Sequence, residues 1–205
     1  MPTADQLVQL SVEVSNCRLC DQSGIEVRHA GPMNRGTGRD ALIVGIQPGN
    51  TELETAEAFS GLGGRRLMEW LEGAGLGNSR EEILQRVHMT SICKCNVTGE
   101  STLRQAAQNC HRFLQRQIAI FQPRVFVTLG KEPVQFLFGV TLELERLVSR
   151  NWQEREWYDG MFPLLSPDCI IIPLPHPSPL SRWLNSQAHK ELLADAIIRL
   201  KGAVR

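Results

Sequence analysis

The chain has 205 residues, of which 42% are hydrophobic and 21% charged, the composition of an ordinary globular domain. Its 22 basic and 22 acidic side chains cancel, which excludes a chain-wide positive charge as the basis for nucleic-acid binding and leaves only local basic patches. No apolar run approaches membrane-spanning length and the N-terminus lacks a secretory signal pattern, so we expect one cytoplasmic domain over residues 1–205.

Apolar periodicity predicts an alternation of strands and helices after a short opening helix that ends before Cys17 and a loop over residues 21–40. The predicted strands cover residues 41–44, 87–93, 124–129 and 169–174, and the predicted helices cover residues 67–74, 102–121, 131–138, 141–149 and 186–200. The polar, Trp-rich residues 151–163 have room for a short hairpin. This order predicts an α/β fold, a three-layer α/β/α sandwich around a central, mainly parallel four-stranded sheet.

Unusual sequences follow all four predicted strands, namely residues 45–49, Lys94-Cys95, Gly130-Lys131 and the loop that begins at His176. Because a parallel sheet binds ligands beyond the carboxyl ends of its strands, these loops are expected to meet at one site. Prolines stiffen the last loop, which holds His176 and Leu180 outward. An imidazole there can donate to developing negative charge, and an exposed leucine can wedge between bases. The simpler interpretation is a Pro-rich turn with a surface histidine.

The cysteine spacing indicates a metal or cluster site, because a cytoplasmic protein rarely carries a disulfide framework. Cys17 and Cys20 form a C-x-x-C pair, and Cys110 lies in the long helix. The fourth ligand is Cys93 or Cys95. We favour Cys95, since it falls just past a strand, whereas Cys93 is expected to point into the core.

The identity of the bound group stays open at this point. Four thiolates serve either zinc or a [4Fe-4S] cluster, although the separation of Cys95 from Cys110 favours a larger cluster spanning two segments. Cys169, at the start of the last strand, is expected to pack in the core.

Several motifs together resemble the uracil-DNA glycosylase superfamily, most closely its family-four branch. The matching segments, in chain order, are Cys17 with Cys20, Gly45-Ile46-Gln47-Pro48-Gly49, Ala58-Phe59-Ser60-Gly61, Thr90-Ser91-Ile92-Cys93-Lys94-Cys95, Cys110, Thr128-Leu129-Gly130 and His176-Pro177-Ser178. Their order and spacing agree with the family pattern over nearly the whole chain.

The resemblance implies a structural [4Fe-4S] cluster on Cys17, Cys20, Cys95 and Cys110. It also implies a base-binding site for uracil flipped out of DNA. The residues concerned are Phe59 as the stacking ring, the backbone of Gly45, Ile46 and Gln47 facing a uracil carbonyl, Ser91 at the base-reading position, and His176 as donor to O2. Leu180 would fill the gap left in the duplex, and Ser178, Ser181 and Arg182 would contact the DNA backbone. Lys94 and Arg182 can also be ordinary surface charges.

Two positions depart from the family pattern. Ile46 replaces the glutamate credited with handling the attacking water, and Ser91 replaces the asparagine that reads the base. A serine hydroxyl cannot make the paired contacts of an amide, which puts selectivity for uracil in doubt. Gln47 is a candidate to orient the water, and Glu52 or Glu54 is a candidate carboxylate.

The leading hypothesis is a monomeric DNA glycosylase that excises uracil or another deaminated base, from single- or double-stranded DNA, in base-excision repair. The alternative is a weakly active or inactive DNA-binding, lesion-sensing protein on the same fold. A third hypothesis is a zinc- or cluster-stabilised module with an unrelated ligand. No membrane partner is expected.

Overall fold

The structure is a computed structural model that describes residues 4–31, 35–153 and 165–205. The strands of these residues, in chain order, are β1 (Arg28–His29), β2 (Ala41–Gly45), β3 (Val87–Ser91), β4 (Cys95–Asn96), β5 (Val125–Leu129), β6 (Trp152–Gln153) and β7 (Ile170–Leu174). A central sheet has the order β3-β2-β5-β7-β6, and β1 pairs with β4 in a separate two-stranded ribbon. All pairings among β3, β2, β5 and β7 are parallel, whereas β6 runs antiparallel to β7.

The helices are α1 (Ala4–Ser15), α2 (Leu19–Gln22), α3 (Asn50–Thr55), α4 (Leu62–Gly73), α5 (Arg80–Arg86), α6 (Glu100–Phe121), α7 (Lys131–Phe138), α8 (Leu144–Val148) and α9 (Gln187–Ala203). A short 3-10 helix, Trp183–Asn185, precedes α9. Within the described ranges, no helix has the length and apolarity needed to cross a membrane.

Alternate residues of the central strands enter two separate hydrophobic cores. In β2, Leu42 and Val44 join the core that contains the apolar stripe of α6, whereas Ala41 and Ile43 join the core shared with α4 and α9. Side chains of successive strand residues point to opposite faces, so a strand buried on both faces must be apolar throughout. The arrangement confirms the predicted α/β/α sandwich.

The four predicted parallel strands are confirmed, with β3 ending at Ser91 rather than at Cys93. A fifth strand, β6, was not predicted as part of the central sheet. It consists of only two residues at the start of the Trp-rich segment, and the remainder of that segment, residues 154–163, lies outside the described residues. The helices α3 and α5 were also not predicted, because six or seven residues are too few to establish a helical period.

The turn that carries Phe59 packs directly on α4. A Cβ atom added at Gly64 would lie 1.7 Å from the carbonyl oxygen of Phe59, so only glycine permits this approach. Phe59 itself has φ +53°, a left-handed conformation that non-glycine residues adopt rarely. The close approach of α4 and the unusual backbone conformation together determine where the Phe59 ring lies.

Gly64→Ala is therefore expected to destabilise the fold by about 1–3 kcal/mol, the usual cost of overpacking. The clash is with backbone atoms, which must shift together with Phe59. Urea unfolding measures the loss. Gly202→Ala is the matched control, because nothing lies within 4 Å of its added Cβ and alanine favours the helical state of α9. A Gly64→Ala protein as stable as wild type would contradict the packing described here.

Candidate active site and cysteine cavity

The loops after β2, β5 and β7 meet at the carboxyl edge of the sheet. Because β5 lies between β2 and β7, the turn at Gly130 is flanked by the Gly45 loop on one side and the His176 loop on the other. The Phe59 ring covers Gly45, where an added Cβ would lie 3.0 Å from Phe59 Cζ. The same construction at Gly130 falls 3.7 Å from His176 Cβ. The structure thus brings Phe59 and His176 to one edge.

His176 is held as a neutral imidazole with a defined tautomer. Its Nδ1 accepts the backbone N–H of Ser178 at 3.1 Å, which leaves the ring proton on Nε2. Although the residue is exposed as a whole, neighbouring protein atoms remove part of the hydration of the ring, and this desolvation lowers the pKa of His176 below 6.5. The carboxylates of Glu132 and Glu52 oppose the shift. At neutral pH the residue therefore offers an Nε2–H donor.

Glu52 links the two loops on the Phe59 side of the site. One carboxylate oxygen accepts the backbone N–H of Gly49 at 3.1 Å, and the other accepts the N–H of Gly61 at 3.0 Å. Both oxygens are thus engaged in holding the backbone. Glu52 thereby positions the two loops, and its role as the water-handling carboxylate stays a prediction.

The side chain of Gln47 is also engaged. Its amide donates to the carbonyl of Val97 at 3.2 Å and accepts the N–H of Val97 at 3.0 Å. Both polar groups of the side chain are thus paired to one backbone unit, which uses one of the two N–H donors of the amide. The water-orienting role of Gln47 stays a prediction, with the second N–H of the amide as its remaining donor.

Ile46 and Ser91 both turn inward. Ile46 is half-buried and packs against the core on the α6 side of the sheet. Ser91 is only 5% exposed, and its hydroxyl donates to the carbonyl of Cys93 at 2.6 Å. Ile46 therefore presents no carboxylate to the attacking water, and Ser91 presents no free amide to a bound base.

The loop after His176 combines an exposed apolar tip with a rigid backbone. Leu180 is 89% exposed. The hydroxyl oxygen of Ser178 accepts the N–H of Leu180 at 3.2 Å, and the carbonyl of Ser178 accepts the N–H of Ser181 at 3.0 Å and an N–H of Arg66 at 3.4 Å. Arg182 follows on the surface. Leu180 thus lies exposed on a turn whose backbone is held by hydrogen bonds, which we call a braced turn.

A second feature is a small cavity between α1, α2, α6 and the β1–β4 ribbon. Four cysteines line it, namely Cys17, Cys20, Cys95 and Cys110. Nitrogen donors lie close to three of the sulfurs, namely Lys94 N to Cys110 Sγ at 3.5 Å, Asn109 Nδ2 to Cys20 Sγ at 3.7 Å and Arg112 Nη2 to Cys17 Sγ at 3.9 Å. Hydrogen bonds of this kind support metal-bound thiolates.

Cys20 and Cys110 are buried, whereas Cys17 and Cys95 are half-buried. Burial raises the pKa of Cys95 to about 12, and burial also raises the pKa of Cys110. Across the described part of the chain, no group of three or more His, Cys, Asp or Glu side chains is arranged to hold one metal ion. Cys93 and Cys169 pack in the hydrophobic core, as expected from the sequence.

Lys94 lies in the wall of this cavity and is only 2% exposed, which corrects its interpretation as a surface charge. Its Nζ donates to Thr90 Oγ1 at 2.6 Å, the Ser91 carbonyl at 2.5 Å and Gln117 Oε1 at 2.8 Å. Burial lowers the pKa of Lys94 to about 7, while Cys110 and Cys93 oppose this shift. The amine therefore sits between the cysteine cavity and the end of β3.

Sequence reasoning missed three contributors to these sites. Glu132 lies beside Gly130 at the centre of the carboxyl edge, and its only sequence signal was its position just after a strand. Arg66 braces the His176 loop from α4. His29 lies in the cavity wall, with Nδ1 3.4 Å from Cys95 Sγ and Nε2 3.0 Å from Asp21.

Comparison with known proteins identifies the family of the chain. Residues 36–197 match the family model described as the uracil DNA glycosylase superfamily. A protein of Archaeoglobus fulgidus named Type-4 uracil-DNA glycosylase is 29% identical over 162 residues, which span 77% of this chain and 76% of the relative. A protein of the same name from Thermotoga maritima is 27% identical over 202 residues, spanning 95% and 94% of the two chains. This chain belongs to the uracil DNA glycosylase superfamily.

Proposed function

We propose that this protein is a DNA glycosylase that binds a deaminated base flipped out of DNA and hydrolyses its N-glycosidic bond, as the first step of base-excision repair. The observation that carries the proposal is the neutral His176, whose Nε2–H is free to donate at the edge where Phe59 also lies. The relatives named for action on uracil in DNA support the substrate class.

The His176 loop provides the hydrogen-bond donor that this reaction requires. As the bond between C1′ and the base breaks, negative charge builds up on the base, and a fixed donor to O2 stabilises it. A neutral imidazole that carries its proton on Nε2 can donate this hydrogen bond directly. Phe59 provides the face on which the base stacks.

The surrounding residues are suited to holding distorted DNA. Leu180 is an exposed apolar wedge on a braced turn, able to occupy the space that the flipped nucleotide leaves. Ser178, Ser181 and Arg182 are neighbours on the same loop and are proposed to contact phosphates.

The inward turn of Ser91 favours a broad base preference. With its hydroxyl donated to Cys93, the residue cannot make the two contacts by which an amide distinguishes uracil from other bases. We therefore propose uracil, hypoxanthine and xanthine as the bases to test.

A second candidate function is lesion sensing with weak or absent hydrolysis. It is favoured by the packing of Ile46 in the core and by the engagement of Gln47 with Val97, which leave the β2 loop without a proton acceptor.

We also propose that Cys17, Cys20, Cys95 and Cys110 hold a [4Fe-4S] cluster. The donor set fits, because four cysteines from separate segments line one cavity and N–H groups lie close to three of their sulfurs. Such a cluster would contribute structural cross-linking of α2, β4 and α6.

Single-turnover release of each base from oligonucleotides, followed by alkaline cleavage of abasic sites, tests the enzymatic function. The wild type should release at least one of the three bases, and His176→Ala should slow release by about 10²–10³-fold. Protonation of Nδ1 would break its contact with the Ser178 N–H and slow the reaction. Since the pKa of His176 is lowered, the midpoint of this acid loss of rate should lie below the ordinary histidine value of 6.5.

The control for this experiment is thermal unfolding, which His176→Ala should leave unchanged because the residue is exposed. Binding to all three oligonucleotides with no abasic sites formed would favour lesion sensing. A His176→Ala protein that keeps both the rate and the binding of wild type would contradict the proposed role of the loop.

The cluster is tested by Cys110→Ala and its matched control Cys169→Ala. Both remove a buried thiol, but only Cys110 lines the cavity. Protein purified without oxygen should be brown and contain iron and sulfide, Cys110→Ala should lose them, and Cys169→Ala should keep them. A colourless wild type that contains zinc or no metal would contradict the proposal.

A further inference from the structure

A third carboxylate lies at the centre of the proposed site. Glu132 lies two residues after Gly130, which forms the turn between the Gly45 and His176 loops. Gly130 has φ +89°, and a Cβ added there would lie 2.9 Å from Glu132 Oε2 and 3.9 Å from His176 Cδ2. The carboxylate and the imidazole thus approach the same point of the backbone. Glu132 is also the first of the two carboxylates that oppose the lowered pKa of His176.

Glu132 differs from Glu52 in having no hydrogen-bond partner among the described residues. Both oxygens of Glu52 accept backbone N–H groups, from Gly49 and Gly61. Among the residues that the structure describes, no hydrogen bond or ion pair engages Glu132, and its side chain is exposed. A carboxylate without a partner keeps its full capacity to accept a proton from water.

We propose that Glu132 is the catalytic carboxylate that accepts the proton of the attacking water, in place of the acid absent at Ile46. This inference rests on the proposed glycosylase function. It gives the turn between β5 and α7 the role of proton acceptor. The β2 loop has no free side chain for that role, since Ile46 packs in the core and Gln47 pairs with Val97.

The bond between C1′ and the base nitrogen breaks, and its electron pair leaves with the base. The acceptor beside that nitrogen, O2 of uracil or the equivalent N3 of a purine, accepts a hydrogen bond from His176 Nε2–H. The water oxygen forms a bond to C1′, and one water proton passes to the Glu132 carboxylate. That proton then passes to the base anion, which leaves a hydroxyl on C1′, a neutral free base and the carboxylate restored. The negative charge of Glu132 also stabilises the cationic sugar.

Glu132→Gln tests the assignment, because it keeps the size of the side chain and removes its basicity. Single-turnover base release should fall by about 10²-fold or more, the usual range for loss of a general base. Its unfolding temperature should match wild type, since the side chain is exposed. Glu72→Gln is the control with the same charge change. Glu72 is exposed in the last turn of α4, about ten residues or ~15 Å along the helix from the end that meets the site.

Two further readouts separate catalysis from a structural effect. Removal of the charge that raises the pKa of His176 should move the acid decline of the rate to lower pH in Glu132→Gln. In an Ile46→Glu background that folds, a carboxylate is restored on the β2 loop, so Glu132→Gln should cost much less than in the native sequence.

The outcomes distinguish the two proposals. Base release by Glu132→Gln at the rate of an active wild type overturns the role of Glu132 and leaves the glycosylase function standing. A wild type that releases none of the three bases overturns the function, and the role of Glu132 with it. Equal losses for Glu132→Gln and Glu72→Gln would show a general charge effect and would also overturn the assignment.

Discussion

The parallel alignment of β3, β2, β5 and β7 is the constraint on which the rest of the molecule depends. Parallel pairing places all four carboxyl ends at one edge, so segments far apart in the chain are neighbours there. The position of β5 between β2 and β7 then puts Gly130 and Glu132 at the centre of the site. The same alignment requires helices on both faces, since each strand residue is buried on one side or the other.

Within that framework, close backbone packing and one carboxylate define the Phe59 side of the site. Gly64 admits the Phe59 carbonyl, Gly45 admits its ring, and Glu52 ties Gly49 to Gly61. A carboxylate that satisfies two backbone N–H groups contributes to order in the loops, and its availability for proton transfer is reduced accordingly. The sequence assigned to Glu52 or Glu54 only the handling of water, whereas in the structure Glu52 holds two loops together.

The sequence predicted the features that depend on local pattern. Apolar runs located the four parallel strands, helical stripes located α6 and α9, and residue spacing selected Cys95 over Cys93 as a cavity residue. Features set by distant contacts were missed. The burial of Lys94 depends on Gln117 in α6, and the orientation of Gln47 depends on a backbone unit fifty residues away. Glu132 carries no motif, and its place beside His176 follows from strand order, which composition and periodicity do not determine.

Lys94 connects the two proposed sites. Its amine is held by Ser91 at the end of β3, while its own backbone N–H lies against Cys110 in the cavity. No salt bridge reaches Lys94 within the described residues, and a buried cationic group is stable only beside compensating negative charge. A thiolate at Cys110, which lines the cavity, would supply part of that charge, since Cys110 is the first group that opposes the lowered pKa of the amine. Ligand binding at the four cysteines would then stabilise the Lys94 contacts with Thr90 and Ser91, and through them the end of β3 next to the proposed base-binding site.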